Sequence, residues 1–183
     1  YDSDFIADFY NVLDSGDTLY YSWGGNPDGE TVSVCTPTMY RCNMTGQRLV
    51  IPDEVYYQGH RYRVTRIDDD AFHNDFALRH VTLPQSLNYI GFTAFKNCFR
   101  LDTIVFTGGN LTTLKNAAFP VQTALVLPDT MSKDMASIMK LQIYEYSQML
   151  ENASSMAYDR QQIINSYVGL LEQMKNYEEP SKY

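Results

Sequence analysis

The stretch Ile90-Gly-Phe-Thr-Ala-Phe-Lys-Asn-Cys-Phe-Arg-Leu-Asp-Thr-Ile-Val-Phe106 echoes Ile67-Asp-Asp-Asp-Ala-Phe-His-Asn-Asp-Phe-Ala-Leu-Arg-His-Val-Thr-Leu83, which lies 23 residues upstream. Ile67, Ala71-Phe72, Leu78, Val81 and Leu83 return as Ile90, Ala94-Phe95, Leu101, Ile104 and Phe106. Two copies in register at a fixed period are the signature of a repeat architecture. A third copy follows imperfectly, with Leu114 and Ala118-Phe119 placed 24 residues after Ile90 and Ala94-Phe95. Its closing strand residues Leu125 and Leu127 come only 21 residues after Ile104 and Phe106, so this turn is shorter. A stack of repeats buries the same positions in every copy, which is why the apolar residues must recur at the repeat period.

Within each copy the reading is strand, turn, strand. The first strands are Val64–Ile67, Leu87–Ile90 and Leu111–Leu114, and the turns hold the Ala-Phe pairs. The second strands are Leu78–Leu83, Leu101–Phe106 and Ala124–Leu127. Pro84 and Pro128 end two of them, where a missing N–H does least harm. Upstream, from Thr18 to Val64, the period is two, with turn chemistry at Gly24-Gly25-Asn26-Pro27-Asp28-Gly29 and at Tyr57-Gln58-Gly59. This predicts an antiparallel β segment leading into the repeats. Earlier still, Phe5, Ile6, Phe9, Tyr10 and Leu13 follow a possible Ser3 cap at helical spacing, predicting a short helix over 3–14 that ends at Ser15-Gly16.

From Thr130 to Glu179 there is no Pro and only one Gly, Gly169. Residues recur there at a seven-residue step in two rows, Met139, Tyr146, Ala153, Arg160, Tyr167, Met174 and Gln142, Met149, Met156, Ile163, Leu170, Tyr177. The pattern fits a helical hairpin broken near Asn152–Ser155 and also fits a single long helix that dimerises through 139–177.

Composition bounds the partners. The 183 residues carry 14 basic and 22 acidic side chains, a net charge of −8, so nucleic acid and anionic membrane surfaces are poor partners. No apolar run approaches the roughly 20 residues of a membrane-spanning helix. A start at Tyr1 without Met is what a processed or trimmed chain would show. Fifteen Tyr stand against one Trp, a bias suited to half-buried strands and contact faces. Cys35 and Cys42 are close enough in sequence to bridge a loop in an oxidising compartment, whereas Cys98 reads as a small buried apolar residue.

The pattern Ile-x3-Ala-Phe-x2-Cys-x2-Leu-x2-Ile-x-Phe of residues 90–106 resembles the BspA-type leucine-rich repeat of bacterial surface proteins. The segment Leu49–Ile67 resembles the β lead-in that commonly precedes those repeats. Together they cover roughly 45–130, and weakly 18–45. The resemblance implies a right-handed solenoid of short strands, a secreted or cell-surface location, and adhesive or recognition roles without catalysis. Four features depart from the pattern: Asp75 stands where the next repeat has Cys98, the third repeat is shortened, there are fewer than three full repeats, and the C-terminal stretch lies outside the repeats.

Candidate chemistry is sparse. Asp68-Asp69-Asp70 with His73 and Asp75 could hold a cation, but the Gly and terminal Glu of an EF-hand loop are missing, and Asp in a turn caps and solvates backbone. His60, His73 and His80 have no paired ligand spacing. No nucleophile elbow is present. Gly24-Gly25 and Gly108-Gly109 read as turns, and the sequons at Asn43, Asn110 and Asn152 as accidental. No catalytic residue, metal or cofactor is expected.

On the second strands, alternation leaves Arg79, His80, Thr82, Asp102, Thr103 and Val105 pointing outward, the candidate patch for a protein ligand. Tyr20, Tyr21 and Trp23 are an alternative platform for a glycan, or core of the β lead-in. The expected architecture is α+β: a helix over 1–16, an antiparallel β cap over 17–61, a right-handed leucine-rich-repeat β-solenoid over 62–129, and a helix or helical hairpin over 130–179. The expected function is non-catalytic recognition or adhesion at the cell surface or beyond. A protein is bound through the repeat sheet or the helical appendage; the alternatives are a glycan-binding module or an assembly subunit.

Overall fold

The computed structural model describes residues 6–24, 29–38, 43, 45–120 and 123–135. Two rows of short strands run through it, one on each side of a single apolar core. The first strands of the three repeats are the end of β6 (His60–Ile67), β8 (Tyr89–Ile90) and β10 (Thr113–Leu114). They pair in parallel, Ile67 beside Ile90 and Ile90 beside Leu114. The second strands are β7 (His80–Leu83), β9 (Thr103–Phe106) and β11 (Ala124–Val126), also parallel, with Val81, Ile104 and Leu125 in line. Parallel neighbours one repeat apart are what a coil that returns to its own start must produce.

The turns joining the rows carry the ladder predicted from the Ala-Phe pairs. Phe72 and Phe95 stack at 5.1 Å with planes 5° apart, and Phe95 and Phe119 follow at 6.2 Å and 25°. Phe72 donates its N–H to Ala94 O at 2.8 Å, and Phe95 donates to Ala118 O at 2.9 Å, so backbone bonds clamp ring to ring. Hydroxyls at three different places reach back one coil: Ser86 Oγ donates to Val64 O, Thr107 Oγ1 to Leu83 O and Thr123 Oγ1 to Leu101 O, all at 2.7–2.8 Å. Each ties a side chain to a carbonyl of the preceding coil. The turn also needs left-handed backbone, with Asp70, Thr93 and Ala117 at φ 60°, 51° and 55°, and Asn74 and Asn97 at 66° and 62°. Asn tolerates this region, whereas Thr and Ala are strained in it.

Stacking begins one coil earlier than the repeat pattern does. The predicted antiparallel cap is antiparallel only in part. β2 (Thr18–Ser22) pairs antiparallel with β3 (Thr31–Cys35), and β5 (Glu54–Tyr57) forms a hairpin with β6. But β3 lies parallel to β6 and β4 (Arg48–Val50) lies parallel to β7. Strands β3 and β4 therefore make an opening coil, separated from the first repeat by the inserted β5–β6 hairpin. The sequence echo is short: Leu49-x-Ile51-Pro52 matches Val81-x-Leu83-Pro84.

The predicted N-terminal helix does not form in the described residues. Phe9–Val12 is a strand, β1, antiparallel to β2 with Phe9 opposite Tyr21. Phe9 is buried and stacks on Tyr21 at 5.2 Å and on Tyr57 at 4.6 Å. The aromatic partners waiting on β2 and β5 outweigh a short helix with no packed neighbour. Asn11 Nδ2 donates to Tyr56 O at 2.8 Å, tying β1 to the far hairpin. The predicted C-terminal helix or hairpin lies almost wholly outside the described residues, as does the 139–177 seam. Only Lys133–Met135, one helical turn, is seen, with Met131 and Met135 buried against the last coil.

Candidate functional site: the open face of the four-stranded sheet

The sheet β4-β7-β9-β11 buries one face and leaves the other open. Alternation along each strand does this directly, because Leu49, Val81, Ile104 and Leu125 point into the core and their neighbours must point away. Register then gathers the outward residues into two rows. One is Arg48, His80, Thr103, Ala124, and the other is Val50, Thr82, Val105, Val126. Val50 is 64% exposed and Val126 43%, while Thr82 and Val105 between them are half-buried. Arg79 and Asp102 stand exposed at the strand entrances, 4.0 Å apart.

Four of the six residues expected on this patch, His80, Thr82, Thr103 and Val105, thus lie within the two rows, and Arg79 and Asp102 border them. Sequence reading missed Arg48, Val50, Ala124 and Val126. The first two belong to the opening coil, whose only signal was the Leu-x-Ile-Pro echo.

The aromatic trio does not form a platform. Tyr21 is fully buried and packs on Phe9, and burial pushes its hydroxyl well above the usual tyrosine range. Trp23 packs partly buried against Phe9, Tyr57 and Tyr62, at ring separations of 5.6–6.4 Å. Tyr20 lies on the other side of β2 and meets Tyr10 at 5.9 Å. Tyr21 and Trp23 share the side that packs on Phe9 and Tyr20 takes the opposite one, so the trio divides between core and surface.

The acidic turn has structural tasks. Asp69 Oδ1 accepts from the Phe92 N–H at 2.8 Å, and Asp70 Oδ1 accepts from Thr93 Oγ1. A Cβ at Gly91 would meet the Asp69 backbone N at 2.5 Å, so the coils touch backbone to backbone there. Burial raises the Asp68 carboxyl, opposed by nearby Arg66 and a hydrogen bond from Ser33. Asp75 is fully buried. Its Oδ2 accepts from the Thr45 N–H at 3.1 Å and the Thr45 hydroxyl at 2.6 Å, which ties the opening coil to the first repeat. Its neighbour Asn43 donates to Cys35 O and Ala71 O at 2.9 and 2.5 Å.

The departure at Asp75 is therefore explained: Cys98, at the same place one coil on, makes a thiol contact to Phe72 O at 3.0 Å. The Cys35 thiol is free and buried, pushed up to about 12 by burial first and by Asp68 and Asp8 next, so it is poorly nucleophilic. Cys42 lies outside the described residues. Among the described residues no group of three or more His, Cys, Asp and Glu side chains is placed to hold a metal, and no helix is long and apolar enough to cross a membrane. A shallow cleft of about 310 Å³ at the other turn is lined by Asp53, Glu54, Arg63, Gln85, Ser86 and Asn110.

Several solved structures are similar to this chain. A leucine-rich cell surface protein of Faecalibacterium prausnitzii is 20% identical, with 66% of this chain and 31% of that one covered and a TM-score of 0.49. A leucine-rich repeat protein of T. pallidum is 22% identical, covering 72% and 51%, at 0.46. One from Bacteroides ovatus is 20% identical, covering 68% and 33%, at 0.44. The chain spans 31–51% of the length of these proteins. No curated protein matches it. The BspA type leucine-rich repeat region, in six copies, matches residues 60–158, more than half of the chain and past the last described residue into the stretch read as helical. With the 23-residue coil, the Ala-Phe ladder and the two parallel strand rows in place, that match puts the chain in the BspA-type leucine-rich repeat family.

Proposed function

We propose that this chain is a non-catalytic recognition protein of the bacterial surface or its surroundings, and that it binds a protein through the open face of β4-β7-β9-β11. The observation that carries this reading is the register. Four strands from four coils align two outward rows, one of them Val50, Thr82, Val105 and Val126, into a continuous surface of β-branched side chains. Such a rigid, flat and partly apolar patch suits a protein contact, since little side-chain entropy is lost on docking. Right-handed winding of the coil belongs to the same reading, and the organisation over 17–61, 62–129 and 130–179 is proposed as cap, solenoid and appendage.

The test is retention of the full chain on a panel of immobilised extracellular proteins, run beside a glycan array. The variant is Thr82→Glu with Val105→Glu. Both sites are outward but half-buried and face each other across β7 and β9, so the paired Glu side chains should together cost about 1–3 kcal/mol, and a melting curve first shows that the variant is folded. Retention on a protein that the folded double variant loses is the expected result. Retention on glycans only, or retention indifferent to the variant, would overturn the proposal.

A further inference from the structure

The open face is not chemically uniform. Its apolar row lies at the exits of the strands, and its polar row lies two residues upstream, roughly 6–7 Å away along each strand. Across the four strands each row runs about 14 Å, at the 4.7–4.9 Å spacing of neighbouring strands. Charge is concentrated at one end of the polar side. Arg48 is exposed on β4 and makes no ion pair among the described residues. Arg79 is exposed beside it on the next coil, and its 4.0 Å approach to Asp102 is a loose surface contact that holds it only weakly. Beside the chain entering β4, the Asp17 carboxylate accepts from the Gly46 N–H at 2.8 Å and the Ser15 hydroxyl at 3.0 Å and keeps its charge. Toward β11 the same row becomes Thr103 and Ala124, without charge. This corner sets two exposed guanidinium groups next to an apolar strip, with the Asp17 and Asp102 carboxylates at its margins.

We propose that the face takes an acidic protein segment that also carries apolar side chains, with its carboxylates on Arg48 and Arg79 and its apolar groups along Val50, Thr82, Val105 and Val126. This rests on the proposed function and adds the partner's chemistry and its direction. Asp102 repels a carboxylate at the β9 end, so the acidic residues sit over β4 and β7 while the apolar ones extend toward β11. A polyphosphate backbone is a poor fit, because it carries no apolar side chains to fill the apolar strip. The guanidinium groups supply a bidentate match to carboxylates, and the Val row supplies apolar area that an all-acidic partner would leave unused.

The experiment is fluorescence anisotropy of the full chain with three labelled synthetic peptides of equal length and a labelled single-stranded oligonucleotide. The peptides repeat Glu-Ser-Val-Ser, Lys-Ser-Val-Ser and Glu-Ser-Ser-Ser, so that in extended form both informative side chains face one way. The Glu-Val peptide should bind most tightly, weaken as salt rises, and lose about tenfold or more in affinity against Arg48→Glu with Arg79→Glu. Equal or tighter binding of the Lys-Val peptide or of the oligonucleotide would overturn the proposal, as would no binding of the Glu-Val peptide at all. The charge-reversal variant is checked for an unchanged melting temperature, and Arg48→Lys with Arg79→Lys, which keeps the charge and loses the bidentate fork, should fall between wild type and the reversal. A protein partner found on the panel that is lost in Thr82→Glu with Val105→Glu, yet indifferent to the arginine reversals, would remove this proposal and leave the proposed function standing.

Discussion

The regular repeats and the opening coil solve one problem with different chemistry. In the repeats, Phe72, Phe95 and Phe119 stack along the turn at the repeat period, and the coils are held by apolar contact together with backbone bonds. In the opening coil no equivalent ring is described. Asn43, Thr45 and Asp75 take its place, with fully buried Asn43 and Asp75 making directional bonds across to the first repeat. Apolar stacking tolerates substitution by shape and can be copied from coil to coil. A buried polar joint depends on each partner, and it marks the place where the repeat meets something that is not a repeat.

The largest effect separating the two should come from Phe95→Ala. This ring is fully buried between Phe72 and Phe119, and its loss leaves a cavity that both neighbours line. Urea denaturation should show a loss of about 3–5 kcal/mol. A loss below about 1 kcal/mol would mean the ladder relaxes and contributes little. Asp75→Ala comes next, at about 1–3 kcal/mol, because it strands the Thr45 N–H and leaves the Thr45 hydroxyl only its longer bond to Gly46 O at 3.2 Å. Its signature is local: hydrogen exchange should speed up in residues 45–50 while 94–106 stay protected. Uniform loss of protection would show that the opening coil is not a separate joint.

The same carboxylate gives the joint a pH dependence. Burial raises the Asp75 pKa above its ordinary 3.8, with hydrogen bonds from Thr45 and the Ala77 backbone working against the shift and the charge of Asp17 adding to it. An acid whose folded pKa exceeds its unfolded one binds more protons when folded. Its contribution is therefore favourable below 3.8 and is lost as pH rises through the raised value. Asp68 shifts the same way. The stability of wild type relative to Asp75→Asn should accordingly rise on acidification from neutral pH toward pH 4, and a difference that does not change with pH would contradict this. The smallest expected effect is Ala117→Gly. It relieves a left-handed alanine at φ 55° but adds unfolded-state freedom, for a net gain below about 1 kcal/mol in the melting analysis. A loss of stability there would mean that the Ala117 side chain packs usefully.

Much of the candidate face was legible. The alternation Leu78, Val81, Leu83 and Leu101, Ile104, Phe106 assigns the outward residues once the strand is recognised, and His80, Thr82, Thr103 and Val105 fell where that parity puts them. Arg48 and Val50 were not legible. Their coil is offset from the next by an inserted hairpin, so the constant period that reveals a repeat is broken between Leu49 and Val81. The helical reading of 3–14 failed for a related reason. Phe9 and Tyr10 satisfy either period over so short a run, and the choice was made by Tyr21 and Tyr57, remote in sequence.

By itself, the sequence determined that this is a coiled stack with a 23-residue period, since burying identical positions in successive coils forces identical residue classes at that spacing. Only the tertiary structure decided where the stack begins, that β3 and β4 form its opening coil, and that Tyr21 belongs to the core and not to a surface platform. Those outcomes rest on strand partners and buried hydrogen bonds between residues far apart in the chain, which leave no periodic trace in local sequence.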